Sequence, residues 1–573
     1  MKSLWMVRFR TLYGRPIWPA LAALTGLYAL IFVLSRDKLI YTDEVVFAQD
    51  FARIARGAWS EIVIPHPPLY TALGSLATQA FGYTLPAMRL VGGLSFLAVL
   101  WLLPMTCLAL SADVARARRA GLIAALIWAI HPLALQGSLL LDIDNTLWPL
   151  GMAALLLAFS ITEDAPSAQR IAWISLTWAL LLWIKWLPST LLLGVALLIV
   201  TLLRRRRVAS ALIGLALGSL SFALSFLIFI AWSQFPIEAL WPSIARVQTA
   251  GSEIQRTISR ILMGGGITSV WIGIPFIAAW LTVAVHRIGQ VARGAAIGYA
   301  DALLLFSLLG MALYSAGNEL PMGFPRYHYP VFLGMLILVS LALADSPTFN
   351  TLWQSAHPRG AILAAAAGCA LFFALVLPDP LLPQYALTFE TNDLLTRLRF
   401  GAQLQVIALV IPLGLAVLIC WLAVRRVQPA LLAGAIAFSL ASWTVTTTTQ
   451  TTADYATIYE YGRRGGREIG AIIASKTAPH DRLIAPKEIL WAAQRDGDFV
   501  VELLACPTCT AQQIIKRFEN DPPAAFVLTT KEDGRYTHIT RDPTLTALLG
   551  RCYSAPLKVG SYLAYFHVGG ACR

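Results

Sequence analysis

Apolar residues in this chain come in long unbroken runs rather than in the short alternating patterns of a soluble fold. Runs of spanning length recur at about 17–35, 85–110, 120–137, 145–161, 171–185, 187–203, 208–232, 268–286, 299–317, 328–345, 360–378, 404–424 and 428–445. A bilayer core takes about 20 helical residues to cross, and backbone groups in lipid are satisfied only within helices or closed barrels. The pattern therefore predicts an α-helical polytopic membrane protein with about thirteen transmembrane helices. The break between the fifth and sixth runs is weak, marked only by Lys185 and Pro188. No small-residue cleavage site follows the first run, which reads as a transmembrane helix rather than a signal peptide.

Two stretches depart from this pattern. Residues 36–84 form a long loop in which Phe47, Phe51, Ile54 and Ala58 fall at helical spacing, with Gln49, Asp50, Arg53 and Arg56 elsewhere on the wheel. Such an amphipathic segment is expected to lie in the membrane interface. Residues 446–573 alternate short apolar runs with polar helical stretches, with strand candidates at 482–485, 524–528 and 561–568 and a helix at 511–518. The expected organisation is a membrane domain over 1–445 and a small C-terminal α/β domain over 446–573.

Composition sharpens the class. The 573 residues are 57% hydrophobic and 13% charged, against roughly 25% charged in soluble domains. That excludes a soluble enzyme, a disordered chain and a nucleic-acid-binding module. The net charge of +13 is largely topology: 29 of the 44 Lys+Arg and 18 of the 31 Asp+Glu precede residue 446. With a cytoplasmic N-terminus, the inner segments hold Lys2, Arg8, Arg10, Arg15, Arg116, Arg118, Arg119, Arg170, Arg204 to Arg207, Arg287, Arg293, Arg359, Arg425 and Arg426. These 17 basic residues face about 5 acidic ones, while the outer segments hold 12 and 13. The bias has the sign that the positive-inside rule requires. An odd number of spans then places the C-terminal domain outside, on the periplasmic side of a cell inner membrane. Cys107, Cys369 and Cys420 fall in apolar runs, as packing residues do. Cys506, Cys509, Cys552 and Cys572 are confined to the tail, and an even number in an exported domain reads as two disulfides with three connectivities. The Cys506–Cys509 spacing also admits a redox or zinc site.

The long loops fall outside, so the chemistry is expected there. Thr42-Asp43-Glu44 opens the first loop, and Pro65-His66-Pro67-Pro68-Leu69-Tyr70 follows. A helix cap and a rigid turn explain either motif alone; a paired acid and a proline-locked histidine in one loop point to a site. The second outer loop carries Asp142-Ile143-Asp144-Asn145-Thr146, and carboxylates beside a span are costly unless solvated, paired or metal-bound. Lys185 stands between two apolar runs at an outer end, where a snorkelling lysine is the plain alternative. Pro325-Arg326-Tyr327-His328-Tyr329-Pro330 leads into the tenth run, as an interfacial anchor or a phosphate clamp. Acids and cations together suit displacement at an anionic, membrane-embedded substrate.

These residues, in this order, resemble the polytopic C-type (GT-C fold) glycosyltransferases, and within them the lipid A aminoarabinose transferases and protein O-mannosyltransferases. The resemblance covers roughly residues 1–345. It implies a polyprenyl-phosphate-linked sugar as donor, inversion at the anomeric centre, and transfer to an envelope acceptor: lipid A, a polysaccharide, another lipid or a protein. It makes Asp43, with Glu44, the catalytic acid pair, and His66-Pro67-Pro68-Leu69 the counterpart of a [K/H]PPL signature. Lys185, Arg326 and His66 become the ligands of the donor phosphate, and Asp144, with Asp142, the second-loop acid. Aminoarabinose transferases favour Lys-Pro-Pro, so the histidine leans toward the mannosyltransferases. Asp144 with Asp142 or Glu44 suits a divalent metal, Mg²⁺ or Mn²⁺, or else these acids orient His66 and Lys185; no cofactor is taken as obligatory. The other class compatible with thirteen spans is a transporter or lipid flippase, which usually shows internal repeats and midplane charges that are not evident here.

Overall fold

The computed structural model describes residues 17–40, 43–63, 66–111, 113–143, 145–185, 189–235, 274–316, 325–345, 465–495, 497–500, 510–529, 537–540 and 542–569, with Leu12, Ile272 and Trp443 as single positions. These residues fall into two compact units. One holds 17–36 and 47–345 together with Trp443; the other holds 37–46 and the tail from 465.

In the first unit each of the first ten apolar runs coincides with helix. The helices in chain order are α1 (Trp18–Ser35), then α2 (Asp43–Ala55, of which residues 43–46 belong to the other unit) and α3 (Leu69–Phe81) from the long loop, and α4 (Leu85–Leu110). There follow α5 (Val114–Ile130), α6 (Pro132–Leu139), α7 (Leu147–Ile161), α8 (Ser167–Ile184), α9 (Ser189–Arg204) and α10 (Val208–Ser233). The last are α11 (Ile274–Ala292), α12 (Tyr299–Ala316) and α13 (Pro325–Asp345). By length and hydropathy α1, α4 and α10 each suffice to cross a membrane, and so do α5 and α6 taken together; α7, α9 and the stretches Phe276–Ala292 of α11, Tyr299–Leu313 of α12 and Val331–Asp345 of α13 are shorter apolar helices. The runs at 360–378, 404–424 and 428–445 lie outside the described residues, apart from Trp443.

The third run is not one rod. α5 and α6 meet at 61°, because Pro132 removes an N–H at the break and His131 turns extended there. The buried His131 ring accepts the Leu133 N–H on Nδ1 (3.2 Å), which fixes the proton on Nε2, donated to the Ile272 carbonyl at 3.1 Å. One side chain thus satisfies the Leu133 N–H at the bend and bonds the carbonyl of Ile272, distant in sequence.

α8 and α10 pack closely through Gly214 and Gly218, a small-xxx-small spacing of the kind that brings membrane helices together. A Cβ at Gly218 would sit 2.7 Å from the Ser175 carbonyl oxygen. Trp178 and Trp183 of α8 donate to Ser219 and Ser225 of α10 at 2.9 and 3.0 Å. The other side of α10 exposes Leu220, Leu224, Leu227 and Ile228. Outward leucines on a 26-residue helix are what contact with lipid tails demands, and the chain is a membrane protein.

The second unit carries a five-stranded sheet formed by β1 (Leu483–Ala485), β2 (Asp498–Phe499), β3 (Ala525–Thr529), β4 (Leu557–Val559) and β5 (Tyr562–Phe566), in the order β2-β1-β3-β5-β4. β1 is parallel to β2 and β3; β5 is antiparallel to β3 and β4. One face packs on α14 (Gly466–Lys476) and α15 (Lys487–Ala493), the other on α16 (Ala511–Asn520) and α17 (Pro543–Cys552). The sheet is buried on both faces, which is why β3 reads Ala-Phe-Val-Leu-Thr without alternation. Leu39 and Ile40 are buried in this unit, with Leu39 against Gly466. Cys552 corrects the expectation of two disulfides: its thiol is free and packs as a small apolar group among Phe518, Leu548 and Tyr553. Cys506, Cys509 and Cys572 lie outside the described residues.

Candidate functional site

Asp43 and Glu44 form the first turn of α2, where carboxylates favour the positive helix end. Asp43 is part-exposed and Glu44 buried; Thr42, the expected cap, lies outside the described residues. Farther along α2 the helix differs from an interfacial one, because its apolar face is covered by protein. Phe47 and Phe51 meet the Tyr70 ring edge-on, at 5.6 and 5.7 Å between centroids, and Phe51 lies directly over Gly74. Asp50, expected on the polar side of the wheel, is fully buried. It pairs with Arg53 at 2.7 Å and accepts the Val63 N–H at 3.2 Å, which folds the loop back onto α2.

His66 is half-buried just before α3, with Pro67 and Pro68 buried beside it. The proline rings fix φ through Pro67 and Pro68, the chain turns at Pro68 (φ -85°, ψ 7°) into α3, and the Thr71 hydroxyl closes the first turn on the Pro68 carbonyl at 2.9 Å. The next residue, Tyr70, reaches the Leu140 carbonyl at 3.5 Å. That contact brings the histidine-proline turn to the segment that carries Asp142.

The Asp142 segment is held from three sides. Arg89 of α4, itself buried, donates from Nε to the Leu139 carbonyl at 2.8 Å, and from Nη1 to the Arg36 and Ser35 carbonyls at 2.6 and 3.4 Å. The Thr146 hydroxyl donates to the Gly92 carbonyl, and a Cβ on Gly92 would collide with the Ser138 carbonyl. Asn145 Oδ1 accepts the Leu147 N–H at 2.8 Å and so serves as the cap of α7. Asp142 is only 5% exposed; Asp144 lies outside the described residues.

Lys185, 6% exposed, ends α8, its N–H bonded to the Leu181 carbonyl at 2.9 Å. Its own carbonyl accepts from the Thr190 hydroxyl, and the same hydroxyl receives the Trp148 indole N–H at 3.0 Å. One threonine therefore ties the lysine turn to the first turn of α7. The segments of His66, Asp142 and Lys185, distant in sequence, are linked at one end of the bundle. Arg326 stands in the first turn of α13, and its side chain lies outside what is described. Among the described residues no three of His, Cys, Asp and Glu gather as metal ligands.

The opposite end of the bundle is tied by arginines. Arg204 grips Glu163 with three bonds of 2.7, 2.8 and 3.0 Å and bonds the Ile297 carbonyl. Arg287 grips Asp301 at 2.6 and 2.7 Å, and Arg116 pairs with Asp345. The buried Arg170 bonds the Phe159 carbonyl and the Tyr299 hydroxyl, both at 3.0 Å. These cations hold helix ends together, so the arginines behind the charge bias are structural ties as well.

Sequence reasoning missed Arg89, His131 and the burial of Asp50. For the first two a signal existed, a lone polar residue within an apolar run; for Asp50 none did.

No family model matches the sequence, and no curated protein does. Among solved structures, ArnT from Cupriavidus metallidurans bound to undecaprenyl phosphate matches 97% of this chain and 98% of its own, with a TM-score of 0.62 and 17% identity. The apo state of the same protein matches 96% and 97%, with a TM-score of 0.61 and 18% identity. The Archaeoglobus fulgidus oligosaccharyltransferase, in apo form, covers 97% of this chain and 75% of its own at a TM-score of 0.47 and 13% identity. The likeness to ArnT, extending over nearly the full length of both chains, is one of fold: this chain has the GT-C glycosyltransferase fold.

Proposed function

We propose that the protein is an integral-membrane inverting glycosyltransferase that moves a sugar from a polyprenyl-phosphate donor to an acceptor on the periplasmic face of the inner membrane. The observation that carries this reading is the linkage of the His66, Asp142 and Lys185 segments at the bundle end opposite the arginine ties. That the matching ArnT structure holds undecaprenyl phosphate supports the donor class. In this reading the chain has about thirteen spans over 1–445, a cytoplasmic N-terminus, and a periplasmic domain over 446–573.

The donor's isoprenoid tail lies among the spans, and its phosphate meets Lys185, Arg326 and His66. Asp43 takes the proton of the acceptor hydroxyl, with Glu44 beside it in the same helical turn. The acceptor oxygen attacks the anomeric carbon from the face opposite the phosphate, and the bond from that carbon to the phosphate oxygen breaks. Polyprenyl phosphate leaves with the bonding electron pair, and the cations neutralise its added charge, which supplies most of the catalysis. The acceptor is lipid A, a polysaccharide, another lipid or a protein. Asp142 and Asp144 orient the cations.

The test is transfer of radiolabelled sugar from a polyprenyl-phosphate donor in membranes containing the protein. Asp43→Asn keeps the size of the side chain and removes the base, so transfer is expected to fall by about 10²-fold or more. Near-normal turnover by that variant overturns the assignment of Asp43. Movement of the lipid across the bilayer without any transfer by the wild type overturns the enzyme reading in favour of a flippase.

A further inference from the structure

If Lys185 holds the donor phosphate, as the proposed function requires, two neighbouring residues complete the same site. α9 is described from Ser189 onward, and Leu187-Pro188 just before it lie outside the described residues. Ser189 is fully buried, and its Oγ has no hydrogen-bond partner. Helical Cα–Cβ bonds tilt toward the N-terminus, so this hydroxyl leans toward the N-terminal end of α9.

A second orphan lies on the adjoining segment. Asn145 is fully buried, and one of its amide atoms receives the Leu147 N–H at 2.8 Å. That bond identifies the atom as oxygen, so the other is the amino group, a donor, and it has no partner. The Trp148–Thr190 bond of 3.0 Å holds the first turn of α7, and Asn145 just ahead of it, against the first turn of α9. Buried polar groups without partners are rare in folded proteins. Here an amino group and a hydroxyl stand on two segments that the Trp148–Thr190 and Thr190–Lys185 bonds join, and two unpartnered donors beside a lysine segment suit an anion.

We propose that Asn145 Nδ2 and Ser189 Oγ bind the phosphate of the polyprenyl lipid alongside Lys185, an assignment that rests on the polyprenyl-donor reading. Each phosphate oxygen accepts from these groups, and no bond is made or broken at them.

The test uses the full-length protein in detergent and measures binding of radiolabelled undecaprenyl phosphate, with inorganic phosphate as competitor. Ser189→Ala removes one donor. Asn145→Asp keeps the oxygen that caps α7 and replaces the amino group by a carboxylate oxygen that repels phosphate. Ser340→Ala is the control, since Ser340 is another buried hydroxyl without a partner, on α13. Each site variant is expected to weaken lipid binding by about tenfold, with Ser340→Ala unchanged and the thermal midpoint of Ser189→Ala held. Inorganic phosphate should displace the lipid from the wild type and lose that effect in Asn145→Asp. Unchanged affinity in both site variants, with normal binding by the wild type, overturns the two-donor site alone and assigns Asn145 and Ser189 to bound water. A wild type that does not bind the lipid overturns the polyprenyl-donor reading itself, and the two-donor site with it.

Discussion

Arg89 joins the exit of α1 to the end of α6, and its removal should loosen the site from behind. Its guanidinium holds three carbonyls, two of them at 2.6 and 2.8 Å and the third at 3.4 Å. Hydrogen bonds to a charged donor contribute about 1.5–3 kcal/mol each, so the two short ones amount to roughly 3–6 kcal/mol. Arg89→Met also removes a buried cation whose desolvation costs several kcal/mol, which offsets part of that sum. It leaves Ser35 and Arg36 at the negative end of α1 without their cation, a loss of about 0.3–1 kcal/mol. The expected net destabilisation is about 2–4 kcal/mol, read from denaturant unfolding of the full-length protein in detergent. Arg89→Lys should fall between the two, because one ammonium on a flexible stem does not span three carbonyls as a planar fork does. A shift below about 0.5 kcal/mol for Arg89→Met, the range of inert surface changes, would refute the clamp.

Three further outcomes are expected. Gly74→Ala sets a methyl group against the Phe51 ring and should cost about 1–3 kcal/mol by overpacking, in the same unfolding assay; a neutral result contradicts close packing of α2 on α3. Alkylation after unfolding without reductant, followed by peptide mass spectrometry, should find Cys552 labelled, because its thiol is free; a disulfide-linked peptide containing Cys552 contradicts this. Asp542 caps α17 through the hydroxyl and N–H of Thr544, and these bonds hold its carboxyl below the ordinary value. A depressed carboxyl stabilises the folded form above the unfolded value of about 3.9 and loses that effect as pH falls through the folded one. Hydrogen exchange over Pro543–Cys552 should therefore quicken as pH is taken below about 4, after correction for intrinsic rates. Asp542→Ala should remove that pH dependence.

How much of the fold was legible beforehand depended on the range of the interaction involved. Helix in the first ten apolar runs was readable because lipid leaves the backbone one local solution, and a run's length reports it directly. The strands at 483–485, 525–529 and 562–566 fell within or beside the predicted ones for a similar reason, short apolar stretches bounded by turn residues. The α2 helix was predicted from its spacing, yet its surroundings were not: the same apolar stripe suits lipid or a second helix, and only Tyr70 and Gly74 on α3 decide which. Asp50 shows the limit more sharply, since a wheel places it among polar residues while the fold buries it against Arg53 and the Val63 N–H.

The sequence by itself determined the membrane class, the helical runs, the segregation of basic residues and the short motifs around Asp43, His66, Asp142, Lys185 and Arg326. All of these are properties of neighbours along the chain or of solvent, and so are written locally. Tertiary structure decided which motifs share an end of the bundle, because that depends on bonds across tens of residues: Tyr70 to Leu140, Arg89 to Leu139 and Arg36, Trp148 to Thr190. It also gave Arg116, Arg170, Arg204 and Arg287 specific partners where the sequence offered a charge bias, and turned the Cys552 thiol from half of an expected disulfide into packing. A cysteine's partner, like a buried acid's, is set by what folds against it, and no local pattern records that.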